Sequence, residues 1–349
     1  MNTAVSPAEE IHVPAASSSE NMLIDNFGRR INYVRLSVTD RCNLRCAYCM
    51  PENMRFSPTN QLLTFAELER LMRLLASVGI TKVRITGGEP FVRPGLMGFL
   101  RSLRDIPGIE KIHITTNGVL TGPLLPELKV LGVSGINLSL DSLNPERFFR
   151  ITRRDKFAEV MDCFHQTLAN NIPLRINMVL MEGRNEQDLL PMSRLTKDHP
   201  VAVRFIEEMP FNGTNSGRPK LLWNYRRIVD TLRAEFPGMY KLADAPASTS
   251  INYQIPGHRG TVGVIAGFSR TFCGTCNRIR ITAGGGLQTC LYGHEIMNVR
   301  DLMRHDLSDD DIKSTFRLHI GNRARDGWAA QRQRPATNGV SKSMSLIGG

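Results

Sequence analysis

Residues 33–52 read YVRLSVTDRCNLRCAYCMPE. The first seven alternate apolar and polar side chains with β-branched residues among them, the pattern of a strand. The chain then runs straight into Cys42, Cys46 and Cys49, three thiols in a C-x3-C-x2-C spacing. Reactive side chains on a loop directly after a strand are placed for chemistry on a scaffold.

Five further strand patterns follow: KVRIT from Lys82, KIHITT from Lys111, GINLSL from Gly135, LRINMVL from Leu174 and AVRFIE from Ala202. Helical patterns separate them. The clearest is TFAELERLMRLLASVG, where Thr64 and Glu67 have capping-box spacing, Leu68, Leu71, Met72 and Leu75 share one face, and Gly79 ends the helix. Repeated strand and helix predict an α/β fold with parallel strands and right-handed crossovers. Six units predict an incomplete (βα)6 TIM-type barrel, and an open doubly wound sheet is the alternative. In a barrel the thiols would lie at the C-terminal edge of the strands, where active sites are built.

Residues 1–26, rich in Ala, Ser and Pro, are expected to be a disordered leader. The barrel is expected over 27–245, with a polar loop around Phe211 to Pro219 and a helix from Tyr225 to Phe236. From Ile251 short strand-like pieces and glycine-rich turns such as Ala283 to Gly286 predict a smaller C-terminal domain, 246–349. Helices are expected near Val299 to His305 and Asp309 to Ile320, and the tail ends in Gly348 and Gly349.

The formal net charge of +11 suggests an anionic partner: a phosphorylated small molecule, nucleic acid or a membrane surface. No apolar run approaches the ~20 residues of a membrane span, and no basic stacking platform for nucleic acid is apparent. The first two dozen residues lack both the basic start of a secretory signal and the Arg-rich character of a transit peptide, so a cytoplasmic location is expected. Six of the seven cysteines form two groups, which suggests metal rather than a disulfide framework.

Three thiolates fit a structural zinc ion poorly, since zinc takes four protein ligands. An iron–sulfur cube on three thiolates keeps one iron free for a small molecule. A zinc site completed from elsewhere and ordinary core thiols are the alternatives. The second group, TFCGTCNRIRITAGGGLQTC, gives Cys273, Cys276 and Cys290, with His294 near enough in sequence to complete a zinc site instead. Arg278 and Arg280 alternate on a strand pattern, so both point to one face, as a phosphate anchor or a solvated surface. Cys163 and His113 read as structural residues.

The C-x3-C-x2-C spacing with Tyr48 before the last cysteine, and GGEP at Gly87 to Pro90 after the second strand, resemble the signatures of the radical S-adenosylmethionine (SAM) superfamily. The resemblance implies a 4Fe-4S cluster on Cys42, Cys46 and Cys49 that binds S-adenosyl-L-methionine, and a reducing electron donor that allows a 5′-deoxyadenosyl radical to form. The second triplet, CNRIRIT and the terminal glycines resemble one branch, the GTP 3′,8-cyclases of molybdenum cofactor biosynthesis, from Phe27 to Gly349.

That branch implies a second 4Fe-4S cluster on Cys273, Cys276 and Cys290 that holds the guanine of GTP. It implies SAM contacts at Tyr48, Gly88, Ser139 and Met209, and GTP contacts at Arg35, Arg84, Thr115, Arg175, Arg278, Ile279 and Arg280, with Arg175 where relatives carry a lysine. Arg278, Arg280, Gly348 and Gly349 would be catalytic. The implied product is (8S)-3′,8-cyclo-7,8-dihydroguanosine 5′-triphosphate, consumed by a cyclic pyranopterin monophosphate synthase. A monomer or homodimer is expected, with neither nucleic acid nor membrane as partner.

Overall fold

In the computed structural model, which describes residues 22–209, 221–334 and 343–348, all six strand patterns form strands. They are β1 (Tyr33–Ser37), β2 (Lys82–Thr86), β3 (Lys111–Thr116), β4 (Gly135–Ser139), β5 (Leu174–Leu180) and β6 (Ala202–Glu207). The C-terminal region adds β7 (Tyr240–Lys241), β8 (Ile251–Gln254), β9 (Thr261–Ile265), β10 (Arg278–Ile281), β11 (Gly286–Gln288) and β12 (Met297–Asn298). One sheet contains all twelve, in the order β12-β11-β10-β1-β2-β3-β4-β5-β6-β9-β8-β7.

Strands β1 to β6 lie side by side in chain order without a reversal, so the doubly wound alternative, which needs a topological switch point, does not hold. The fold is the expected incomplete barrel, with β12 and β7 as its unjoined edges. The parallel run is longer than the six expected strands. β10 pairs in parallel with β1, and β9 in parallel with β6, so eight neighbouring strands run the same way. The outer pairs are antiparallel. Strand and helix alternation could not reveal β9 and β10, because each is short and only a single 3-10 turn, Cys273–Thr275, lies between them.

Along β5 and β6 buried and half-buried side chains alternate, as they must where one face meets helices and the other a cavity. Helix Phe65–Ser77 forms with both bonds of the capping box: the Glu67 N–H donates to Thr64 Oγ1 (3.1 Å) and the Thr64 N–H to Glu67 Oε2 (2.7 Å). Leu68, Leu71, Met72 and Leu75 are buried, each contributing roughly 1.5–3 kcal/mol. Gly79, at φ +93°, turns the chain into β2.

Residues 22–26, expected in the leader, are packed. Leu23 is buried and its N–H donates to the Val78 carbonyl at 3.2 Å, while Asp25 makes a buried ion pair with Arg29. Their composition hid this, since the three apolar residues Met22, Leu23 and Ile24 are too short a run to carry a periodic signal. The rest of the leader, the loop from Phe211 to Pro219 and Gly349 lie outside the described residues. Helices Tyr225–Glu235, Val299–Arg304 and Asp309–Gly321 stand where expected. The boundary expected at residue 245 falls between β7 and β8, which pair within the common sheet.

Candidate active site

A cavity of about 580 Å³ is lined by residues from the sheet and by both cysteine groups. Of the nineteen residues expected at a site, eighteen are among the described residues and sixteen line it: the six cysteines, Tyr48, Gly88, Ser139, Met209, Arg35, Arg84, Thr115, Arg175, Arg278 and Arg280. Ile279 does not. It is fully buried, registers with Val34 of β1 and points away from its two arginine neighbours, so it serves the core. Gly348 reaches the wall through its carbonyl, which accepts from Arg280 Nη1 (3.0 Å), Thr86 Oγ1 (3.3 Å) and Arg35 Nη2 (3.5 Å).

The loop after β1 holds Cys42, Cys46 and Cys49 half-buried and free. Cys42 Sγ accepts from the Leu44 N–H (3.4 Å) and lies 3.7 Å from Asn117 Nδ2. Burial pushes Cys42 up to about 11, Cys49 up to about 12 and Cys46 well above the ordinary thiol range. Such thiols ionise only against a nearby cation, as metal binding supplies. Three free, half-buried thiols on one loop, all lining one cavity, suit an iron–sulfur cube, in which each thiolate takes its own iron.

The glycine-rich loop after β2 presses against the cysteine loop. A Cβ on Gly88 would lie 2.4 Å from the Arg41 carbonyl and 2.6 Å from that of Asp40, so only glycine allows the approach. Glu89 is fully buried and braces this loop. Its carboxylate accepts from the Phe91 N–H (3.2 Å), the Thr116 hydroxyl (2.9 Å) and the Asn117 N–H (2.6 Å), and burial pushes it up to about 7. Tyr48 donates its hydroxyl to Asp141 Oδ2 (2.9 Å), and Asp141 Oδ1 accepts from the Val179 N–H (2.8 Å). Glu89→Ala would leave the Phe91 and Asn117 N–H groups without their acceptor, each costing about 1–3 kcal/mol, and open a cavity under the loop. A loss of roughly 3–5 kcal/mol is expected in urea unfolding, and an unchanged midpoint would refute the bracing role.

Opposite these loops stands a wall of cations created by strand register. Arg280, Arg35 and Arg84 are direct neighbours across β10, β1 and β2, and Arg278, Tyr33 and Lys82 form the row beside them. Arg175 of β5 and Arg204 of β6 complete the wall. Arg35 Nε, Arg175 Nη1, Arg204 Nε and Arg278 Nε are buried without hydrogen-bond partners. Burial, reinforced by neighbouring guanidiniums, holds Arg204 down to about 9, Arg280 to about 10, and Arg35 well below its usual value. The same surroundings keep His113 neutral, its pKa lowered to about 3 by burial and by Arg84, Lys82 and Arg175. Buried like charges with unmet donors call for a polyanion. Sequence reasoning missed Lys82 and Arg204; both stand at alternate positions of expected strands, on the face shared with Arg84 and Arg175, and that was the available signal.

The second triplet lies at the far side. Burial raises Cys273 and Cys290, whereas at Cys276 burial is outweighed by Arg323 and Arg278, which bring it down to about 7. His294 does not line the cavity. The tail joins both sides: Ser343 Oγ donates to the Cys49 carbonyl (2.8 Å), and Ile347 packs with Tyr292. Among the described residues no helix is long and apolar enough to cross a membrane.

Among solved structures, Streptococcus suis SuiB bound to S-adenosylmethionine has the same fold (TM-score 0.59, 16% identity, covering 81% of this chain and 68% of that one). So does anSMEcpe with bound AdoMet (TM-score 0.55, 14% identity, 83% and 82%). The family model described as the radical SAM superfamily matches residues 36–196, and that described as Molybdenum Cofactor Synthesis C matches 201–327. A partial parallel barrel with three cysteines on the loop after its first strand defines a radical SAM protein. The GTP 3′,8-cyclase of Chlorobaculum tepidum is 35% identical over 335 residues, 95% of this chain and 99% of that one. The mitochondrial GTP 3′,8-cyclase of Arabidopsis thaliana is 39% identical over 338 residues, 94% and 84%. The chain belongs to the GTP 3′,8-cyclase family. It is also 43% identical over 305 residues to molybdenum cofactor biosynthesis protein 1 of Bos taurus, where the match covers 87% of this chain and 48% of the relative, so the chain spans about half the length of that protein.

Proposed function

We propose that this chain converts GTP to (8S)-3′,8-cyclo-7,8-dihydroguanosine 5′-triphosphate, the first step of molybdenum cofactor biosynthesis. The observation that carries the reading is the wall of clustered guanidiniums, several with a buried N–H that no acceptor meets, in one cavity with two cysteine triplets. Cys42, Cys46 and Cys49 would hold one 4Fe-4S cluster, and Cys273, Cys276 and Cys290 a second. When bound, the first cluster and S-adenosyl-L-methionine supply a 5′-deoxyadenosyl radical that starts the cyclisation.

The chain's own residues bind, orient and exclude water. Tyr48, Gly88, Ser139 and Met209 line the cavity and would seat S-adenosyl-L-methionine. Arg35, Arg84, Arg175 and Arg278, with Thr115 beside Arg84 (3.4 Å), would grip the triphosphate by charge-assisted bonds; Lys82 and Arg204 join them. Arg280 and Arg35 hold the Gly348 carbonyl, so the tail closes the cavity between the two triplets. The reading includes an external electron donor, a cyclic pyranopterin monophosphate synthase as consumer of the product, a monomer or homodimer, and a cytoplasmic setting.

The test is anaerobic reconstitution with iron and sulfide, followed by incubation with S-adenosyl-L-methionine, dithionite and GTP. About eight irons per chain, as two cubes require, with GTP-dependent 5′-deoxyadenosine and a cyclised nucleotide, is the expected result. About four irons, with cleavage indifferent to GTP, would remove the substrate assignment.

A further inference from the structure

The segment before β1 reaches across the molecule to the second cysteine triplet. Asp25 Oδ1 accepts the N–H groups of Phe27 (2.9 Å) and Arg29 (3.0 Å), and its Oδ2 pairs with Arg29 Nε at 2.6 Å. Arg29 Nη1 donates to the carbonyls of Cys273 (3.0 Å) and Arg325 (2.7 Å), and Nη2 to that of Ala324 (2.9 Å). Arg323 Nη1 lies 3.8 Å from Asp25 Oδ2 and donates to the Cys276 carbonyl (2.9 Å), while Arg323 Nη2 donates to Cys276 Sγ itself at 3.0 Å.

All three side chains are buried: Asp25 and Arg323 are 5% exposed and Arg29 9%. Two guanidiniums therefore share one carboxylate, and one positive charge remains out of water. An unpaired buried cation is costly. Here it is aimed at a cysteine sulfur, so the network is neutral only if that sulfur carries negative charge.

We propose that Arg323, held by Asp25 and Arg29, is a positioning residue that sets the reduction potential of the second cluster. The proposal rests on the two-cluster reading above. An N–H donated to a ligating sulfur, and a fixed positive charge beside it, both stabilise the more negative reduced cluster and so raise its potential. Asp25 acts with the opposite sign, because its carboxylate offsets that charge from 3.8 Å.

The two side chains therefore make opposite predictions, which a purely structural role does not. The experiment is a redox titration followed by electron paramagnetic resonance on the full chain loaded with both clusters, with the first cluster as internal reference. Arg323→Gln is expected to move the second cluster to a more negative potential, and Asp25→Asn to a more positive one, with the first cluster unmoved. Shifts of the same sign in the two variants, or an Arg323→Gln protein with both clusters loaded and the wild-type potential, would overturn the proposal. Should Arg323→Gln lose its second cluster, Asp25→Asn decides alone: absence of a positive shift overturns it. A wild-type protein that never takes up a second cluster overturns the two-cluster reading instead, which iron content reports before any titration.

Discussion

Cys42→Ser is expected to reduce 5′-deoxyadenosine formation to background and to lower bound iron by about half, from roughly eight atoms per chain to roughly four. The serine should still be held, since the Leu44 N–H and Asn117 Nδ2 that face Cys42 Sγ can donate to an oxygen in the same place. The fold is then preserved and only the ligand chemistry changes: an alcohol does not ionise where even a thiol is pushed up to about 11 by burial. Retention of substantial cleavage with half the iron would mean that the cluster doing the chemistry is not on this loop.

Arg278→Ala is expected to weaken GTP binding by about 10- to 150-fold, the loss of one hydrogen-bonded charge contact worth roughly 1.5–3 kcal/mol. Iron content should stay unchanged, because Arg278 Nη2 bonds the Ala247 carbonyl (3.0 Å) and Cys276 keeps the Arg323 guanidinium on its sulfur. The unliganded protein should be no less stable, since the substitution relieves repulsion with Arg35 and Arg280 in the buried wall. Calorimetric titration with GTP alongside thermal unfolding of the empty protein separates the two effects. An unchanged affinity would remove Arg278 from the substrate site, and a lowered melting temperature would assign it a structural task.

Much of this was legible in the sequence because strands and motifs are local. Lys82 to Thr86, Lys111 to Thr116, Leu174 to Leu180 and Ala202 to Glu207 begin and end where alternation and flanking turns place them. Thr64 and Glu67 carry a helix start within four residues. The two cysteine spacings located the cavity's ends. What stayed hidden depends on partners distant in sequence. Arg204 gains meaning only from register with Asn177 on β5, and Arg35 from lying between Arg84 and Arg280. Ile279 sits between two cavity arginines in sequence, yet the pleat turns it to the opposite face. Asp25, Arg29 and Arg323 act together across almost 300 positions, which no local pattern records.

The pairing of β1 with β10 also bears on how the chain is made. Tyr33 lies opposite Arg278, so the first strand to leave the ribosome waits for a neighbour encoded 245 positions later. At a synthesis rate of about 5–20 residues per second, that wait is about 12–50 s. Throughout it β1 presents an unpaired edge beside three cysteines, the kind of edge that recruits stray chains. Cluster loading on Cys42, Cys46 and Cys49 can begin early, but a closed cavity must await the last strands. Translation pauses anywhere between β1 and β10 should therefore lower yield more than pauses after β10.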